Sequence, residues 1–305
     1  MVTAKNSLAR GLPLLVLLSR LVSALPLPLA LGLGRALGWV WYYLIPIRRR
    51  VALVNIDRVY QAILSARERR RLVRANFVHL ATYAVELLRI PRLTAASAAS
   101  LTERQGWHYV EESFARGKGV ILVSSHVGNV DLAGASMAIL GVPVCVVAKD
   151  MGAMTRGFVA SVRERTGVTL VPPRRSRDQI KALLAANKMV VLIVDQHVAK
   201  HRAMVCDFFG QRAATSPAPA RFALETGATV IPALTYRAEG GRHVLRFLPP
   251  MSMETPHADQ AANLRHNTER INRTIEAWVR EFPAQWLWVH KRWKAHDNPR
   301  EWGCA

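Results

Sequence analysis

The segment Gly119-Val-Ile-Leu-Val-Ser-Ser-His126-Val-Gly-Asn-Val-Asp131 constrains the fold more than any other. Val120 to Val123 form a short continuous apolar run, closed by Gly119 on one side and Ser124-Ser125 on the other. That is the pattern of a central strand covered on both faces. His126 follows at the carboxyl end, the edge at which open α/β sheets bind their ligands. Gly128 and Asn129 suit a tight turn. Five residues along a regular helix would rotate Asp131 away from His126, so the two meet only if the chain turns first. A carboxylate on one ring nitrogen fixes the histidine tautomer and leaves the other to take a proton from a bound hydroxyl. Spacing alone is weak, because H-x-x-x-x-D also describes a strand-capping histidine and an aspartate that starts a helix.

A second buried-strand pattern, Met189 to Val194, delivers Asp195 to a carboxyl edge and gives it an orienting or structural role. No His/Cys cluster at metal spacing accompanies it, so no metal is expected. Around these two runs the chain alternates. Strands are predicted at 142–148, 168–171, 229–236 and 243–248, and helices at 155–166, 178–186, 217–226 and 259–282. Such alternation indicates an α/β fold with a mostly parallel mixed central sheet flanked by helices. Arg237 ends the 229–236 strand, facing either a phosphate or solvent. Arg174, Arg175 and Arg177 follow Pro172-Pro173 in a loop suited to a phosphorylated head group, and residues 197–216 read as a long polar, basic loop of functional use.

Forty-two basic residues against twenty-one acidic give a formal charge of +21 over 305 residues. Such an excess implies a polyanionic partner: nucleic acid, an anionic membrane face, an acidic carrier protein or a phosphorylated lipid. The chain shows no helix-turn-helix, zinc module or RNA-binding aromatic motif, which argues against nucleic acid. Cys145, Cys206 and Cys304 are too few and too scattered for a disulfide framework and fit a reducing cytosol.

From Leu12 to Ile47 the chain is strongly apolar, with Arg20 and Arg35 its charged residues and Trp39, Trp41, Tyr42 and Tyr43 near its end. Those aromatics match an interfacial belt, and Arg48-Arg49-Arg50 after them favours a cytoplasmic catalytic region. Residues 1–50 are therefore expected to be a helical membrane anchor, either spanning or lying in the interface, and residues 51–305 the catalytic α/β domain. Residues 51–92 read as helical, with Phe77, Leu80, Ala81, Ala84, Val85 and Leu88 at helical spacing behind a basic start.

Several segments, in order and spacing, resemble one family. They are Ser125-His126-Val-Gly-Asn-Val-Asp131, Val194-Asp195-Gln196, Phe208-Phe209-Gly210, Gly227-Ala-Thr229-Val-Ile-Pro232 with Arg237, and Gln285-Trp-Leu-Trp-Val-His-Lys-Arg-Trp293. Together they cover most of residues 105–294 and resemble the late lauroyl and myristoyl acyltransferases of lipid A biosynthesis, in the lysophospholipid acyltransferase-like superfamily. The first motif ends in Asp131 where this family more often has glutamate; related glycerolipid acyltransferases have aspartate there.

The resemblance implies a glycerolipid acyltransferase-like fold. It also implies an O-acyltransferase that moves a fatty acyl chain from acyl carrier protein or acyl-CoA to a hydroxyl of an anionic lipid, a lipid A precursor foremost. His126 would be the general base and Asp131 its orienter. Arg163 or Arg165, with Asp195, Gln196 and Asn129, would serve substrate binding. No cofactor or metal is implied, and the expected place is the cytoplasmic face of a bacterial inner membrane. Two other readings remain open: acylation of a lysophospholipid, an aminolipid or a mannosylated inositol lipid, and a non-catalytic basic protein that binds membranes.

Overall fold

The computed structural model describes residues 2–147, 158–159, 162–163, 165–172 and 176–297. Arg174, Arg175, Cys304 and much of the helix expected at 155–166 lie outside the described residues.

The chain opens with two helices, α1 (Val2–Ala24) and α2 (Leu27–Leu44), separated where Pro26 takes an extended conformation and lacks the N–H that would continue α1. Among the described residues no helix is long and apolar enough to cross a membrane. The spanning form of the expected anchor is thus not supported; Pro26 divides the apolar run into two shorter helices. Both pack against α4 (Ala66–Arg89). Ala30, Leu31, Gly34 and Gly38 form the buried face of α2, and a Cβ at Gly38 would fall 2.4 Å from the Val78 Cα. Small residues four apart therefore let two helix backbones meet. Arg89 donates to the carbonyls of Val22 and Leu25 at 2.7 Å each and caps the end of α1.

Between them runs α3 (Arg49–Tyr60), and α4 starts with a capping box in which Ser65 and Glu68 exchange hydrogen bonds. The helical reading of residues 51–92 matches these two elements. Next come α5 (Ala95–Leu101), β1 (Thr102–Gln105) and α6 (His108–Ala115), then β2 (Val120–Ser124) and α7 (Val130–Ile139). The remaining elements are β3 (Val144–Val147), β4 (Thr169–Val171), α8 (Arg177–Ala185), β5 (Met189–Ile193), β6 (Met204–Phe208), β7 (Gln211–Thr215), α9 (Ala218–Thr226), β8 (Thr229–Arg237), β9 (His243–Phe247), α10 (Gln260–Glu281) and α11 (Lys294–Asp297).

Seven strands form one sheet in the order β1-β9-β8-β2-β5-β3-β4. Every pairing is parallel except β8 with β9, so the sheet is mixed and mostly parallel, as expected. All five residues of β2 are buried, which explains its unbroken apolar run. The stretch read as one long loop, 197–216, instead contains the antiparallel hairpin β6–β7. Its turn is Phe209-Gly210, with φ of 55° and 71°, and two successive left-handed residues match the twist of a two-residue hairpin. The amide of Phe209 donates to Glu276 at 2.7 Å, holding the turn on α10.

Candidate active site

β2 and β5 are adjacent, and Ser124 pairs with Ile193. His126 and Asp195 each lie two residues further, so register brings them together above the same edge. The Nδ1 of His126 stands 2.7 Å from Asp195 Oδ1, and the His126 backbone N–H donates to Asp195 Oδ2 at 2.7 Å. Trp286 Nε1 supplies a third donor to the carboxylate, on Oδ2, also at 2.7 Å. Asp195 is 1% exposed and His126 26%, so a hidden carboxylate backs an accessible imidazole.

Burial alone would raise the pKa of Asp195, but the His126 ring, its backbone amide and Trp286 outweigh it and hold the carboxyl below its ordinary value. Burial likewise disfavours a charged His126, yet the adjacent carboxylate dominates and lifts its pKa above 6.5. An ionised Asp195 accepts only, so Nδ1 carries the proton and Nε2 presents its lone pair. Gln196 Nε2 lies 3.2 Å from that lone pair.

Asp131 does not orient the His126 ring. Its carboxylate, buried on the first turn of α7, takes Arg163 Nε at 2.8 Å on Oδ1 and the Tyr83 hydroxyl on Oδ2. The five-residue separation made the pair attractive in sequence; strand register, which sequence spacing cannot show, favours Asp195. Arg163 is consequently engaged rather than free, while Arg165 is exposed. Asn129 points inward: its Oδ1 accepts from Leu132 N at 3.0 Å as the cap of α7, and its Nδ2 donates to Glu86 at 2.8 Å. Each polar end of Asn129 thus holds a partner within the protein, which ties the start of α7 to α4. Arg237, expected to face a phosphate or solvent, makes a two-pronged pair with Glu86 at 2.8 and 2.7 Å and keeps 14% of its side chain exposed.

Behind Asp195 the carboxy-terminal tryptophans are packed. Trp286, Trp288 and Trp293 are buried, Trp293 donates to the Phe208 carbonyl at 3.2 Å, and Arg292 donates to Ala214 and Thr215 at 2.6 Å each. The Phe208-Phe209-Gly210 and Gln285–Trp293 segments therefore form one support for the carboxylate. His290 accepts from the His197 amide at 2.9 Å, and burial lowers its pKa to about 4, so it stays a neutral acceptor.

A slot runs between the sheet and α7 and reaches Ser124 and Ile193, each two residues before a member of the pair. Ser124, Asp131, Arg163 and Thr235 mark its polar end, and Leu122, Val191, Ala233, Leu245, Phe247 and Met137 line its apolar depth. Gly134 borders it too, where an added Cβ would meet nothing within 4 Å.

A histidine–carboxylate pair above an apolar slot suits acyl chemistry, and comparison with known proteins says which kind. Residues 9–295 match the family described as bacterial lipid A biosynthesis acyltransferase. The chain belongs to that family. It is 25% identical over 230 residues to a phosphatidylinositol mannoside acyltransferase of Mycolicibacterium smegmatis, covering 73% of each chain. A lipid A biosynthesis acyltransferase of Haemophilus influenzae is 24% identical over 186 residues, 60% of this chain and 56% of that one. The corresponding mannoside acyltransferase of Mycobacterium tuberculosis is 25% identical over 232 residues, 73% of this chain and 71% of that one. The protein is thus an acyltransferase of lipids, as the sequence resemblance implied.

His79, Tyr83, Glu86 and His243, all linked to the site, were not singled out from the sequence. Their signal was available on α4, where 79, 83 and 86 fall at i, i+4 and i+7 along one face.

Proposed function

We propose that the protein transfers a fatty acyl group from an acyl thioester, on acyl carrier protein or CoA, to a hydroxyl of an anionic lipid, with His126 as general base. The observation that carries this reading is the Nδ1 contact of His126 with a buried Asp195, which leaves Nε2 as the acceptor. The acceptor hydroxyl gives its proton to Nε2 as its oxygen bonds to the thioester carbonyl carbon. Collapse of the tetrahedral adduct breaks the C–S bond, and the departing thiolate recovers the proton from the imidazolium. Asp195 stabilises that imidazolium and retains the tautomer, in the role of the third member of a hydrolase triad.

The slot suits the acyl chain, because its lining is mostly apolar and reaches Ser124, two residues before the base, and such a lining excludes water from a hydrocarbon. Gln196, near Nε2, is positioned to donate to a substrate oxygen once the hydroxyl displaces it. Arg163, tied to Asp131 at the slot's polar end, holds that carboxylate fixed in place at the start of α7.

Membrane association forms part of the proposal. Large apolar side chains are exposed over residues 14–47, among them Leu17, Leu21, Leu29, Leu37, Leu44 and Ile47. Exposed Arg48 and Arg50 follow, and Arg74 stacks over Trp39 at 4.8 Å. This arrangement supports two helices lying in one leaflet of an anionic bilayer, on the cytoplasmic face of a bacterial inner membrane.

The acceptor reading is a lipid A precursor, and the mycobacterial relatives keep a mannosylated inositol lipid as the alternative. Mass spectrometry of total lipids from cells with and without the gene, and with His126→Ala, tests both. The expected result is one added acyl mass on a single lipid class, absent in the variant. An unchanged lipid profile with the protein present and folded would overturn the reading.

A further inference from the structure

We propose that His79, Tyr83 and Glu86, a polar stripe on the inner face of α4, are positioning residues that hold the turn between His126 and Asp131 in its reactive shape. This inference rests on the acyltransfer reading, since it assigns a geometry to that reaction's base.

Three of the five residues that follow His126 are tied to this one helix. Glu86 accepts from Asn129 Nδ2 at 2.8 Å, and Asn129 in turn caps α7. His79 accepts from Arg237 Nη1 on Nδ1 at 2.8 Å and hydrogen-bonds the Gly128 backbone with its other nitrogen. Tyr83 donates to Asp131. Gly128 itself has a φ of 68°, and a Cβ there would lie 2.2 Å from the Thr235 carbonyl oxygen. The turn is therefore pressed onto β8 at a place where nothing but glycine fits, and it needs lateral restraint to stay there.

Glu86 and His79 are each 5% exposed. Burying such groups is costly unless every one is hydrogen-bonded, and replacing a buried ion pair by packed hydrocarbon is often neutral or stabilising. A helix with Phe77, Ala81 and Val85 already in the core has apolar means of packing. The stripe instead gathers Arg237, His243 and Asn129 around one carboxylate, with contacts of 2.7 to 3.1 Å. Directional bonds fix a loop within tenths of an ångström, as hydrocarbon packing does not, and a base requires that accuracy.

The test uses the full chain with radiolabelled dodecanoyl-CoA and vesicles of total lipid from the bacterium that carries it. The variants are Tyr83→Phe, Glu86→Gln and the double variant Glu86→Gln with Arg237→Gln, which removes both charges where the single change leaves a buried cation alone. Folded variants are expected to lose about 10- to 100-fold in kcat, the scale of a misplaced reacting group, with the donor KM within about two-fold of wild type. Wild-type kcat in folded Tyr83→Phe and in a folded Glu86 variant would overturn the proposal. So would a parallel rise in KM, which marks general loosening of the slot. Absence of transfer by folded wild-type protein would instead count against the acyltransfer reading, so the two failures are distinguishable.

Discussion

His126 and Asp195 lie at matching offsets, each two residues past the paired Ser124 and Ile193 on adjacent parallel strands, and their side chains meet at 2.7 Å. The pair is a product of sheet order. Between β2 and β5 the chain makes β3 and β4, which are placed outside β5, so residues 69 apart in sequence become neighbours.

Asp195→Asn tests that relationship. The amide preserves the shape but removes the acceptor that keeps the proton on Nδ1, so kcat falls by about 10³- to 10⁴-fold, as for the equivalent change in a hydrolase triad. Asp131→Asn, which leaves the His126 contact intact, costs less. Steady-state rates of acyl transfer for the two variants check the order, and an equal or reversed order would return Asp131 to the orienting role.

Activity should depend on pH with a defined sign. His126 must be neutral to accept a proton, and Asp195 raises its pKa above 6.5. Transfer is therefore full above that raised pKa and falls as pH drops through it. In Asp195→Asn the residual activity has its acid limb at lower pH, because the charge that favoured the imidazolium is gone. A kcat/KM profile of each protein measures the limb, and an unmoved limb assigns it to another group.

The positions of His126 and Asp195 were legible separately. Apolar runs bounded by small polar residues announced both strands, and each placed its charged residue at a carboxyl edge. Which strands are neighbours is not written in a local pattern, so Asp131, close in sequence, was given the partner's role that Asp195 fills. The partner of Arg237 was illegible for a similar reason: its carboxylate, Glu86, lies 151 residues away on a helix whose apolar spacing hid a polar stripe. The hairpin at 204–215 was missed because its strands are short and its turn begins with Phe209, an unusual residue at positive φ.

Stability should fall on acidification partly through His79. Burial first, and then the Arg237 charge, lower its pKa to about 3 from an ordinary 6.5. Below pH 6.5 the unfolded chain takes up a proton that the folded one refuses, so stability is full above 6.5 and is lost as pH falls toward 3. The slope approaches about 1.4 kcal/mol per pH unit. His79→Gln keeps an acceptor and a donor without titrating, and its urea-unfolding free energy should decline less between pH 7 and pH 5. Equal declines would show that His79 is not buried neutral.

Gly38 holds the amino-terminal helices on the catalytic core. With the Val78 Cα only 2.4 Å from where its Cβ would stand, Gly38→Ala pushes α2 off α4 and costs about 1–3 kcal/mol. Gly32, where a Cβ meets nothing within 4 Å, is the control, and Gly32→Ala should leave the thermal midpoint unchanged or raise it. Because α4 carries α2 on one face and the His126 turn on the other, Gly38→Ala should also lower transfer.

Chain length should respond to Gly134. From Asp131 at the polar end, α7 runs three residues, about 4.5 Å, to Gly134 and about 9 Å to Met137, so successive turns of this helix line successive depths of the slot. A leucine at 134 enters space that is open now and blocks a chain that reaches past the first turn. Gly134→Leu should therefore transfer shorter acyl groups than wild type from a mixed set of acyl-CoA donors, while Met137→Ala extends the range. The acyl masses on the product lipid report both. Unchanged chain lengths in two active variants would mean that the acyl group lies elsewhere, and the slot would then have to be assigned to the protein's packing alone.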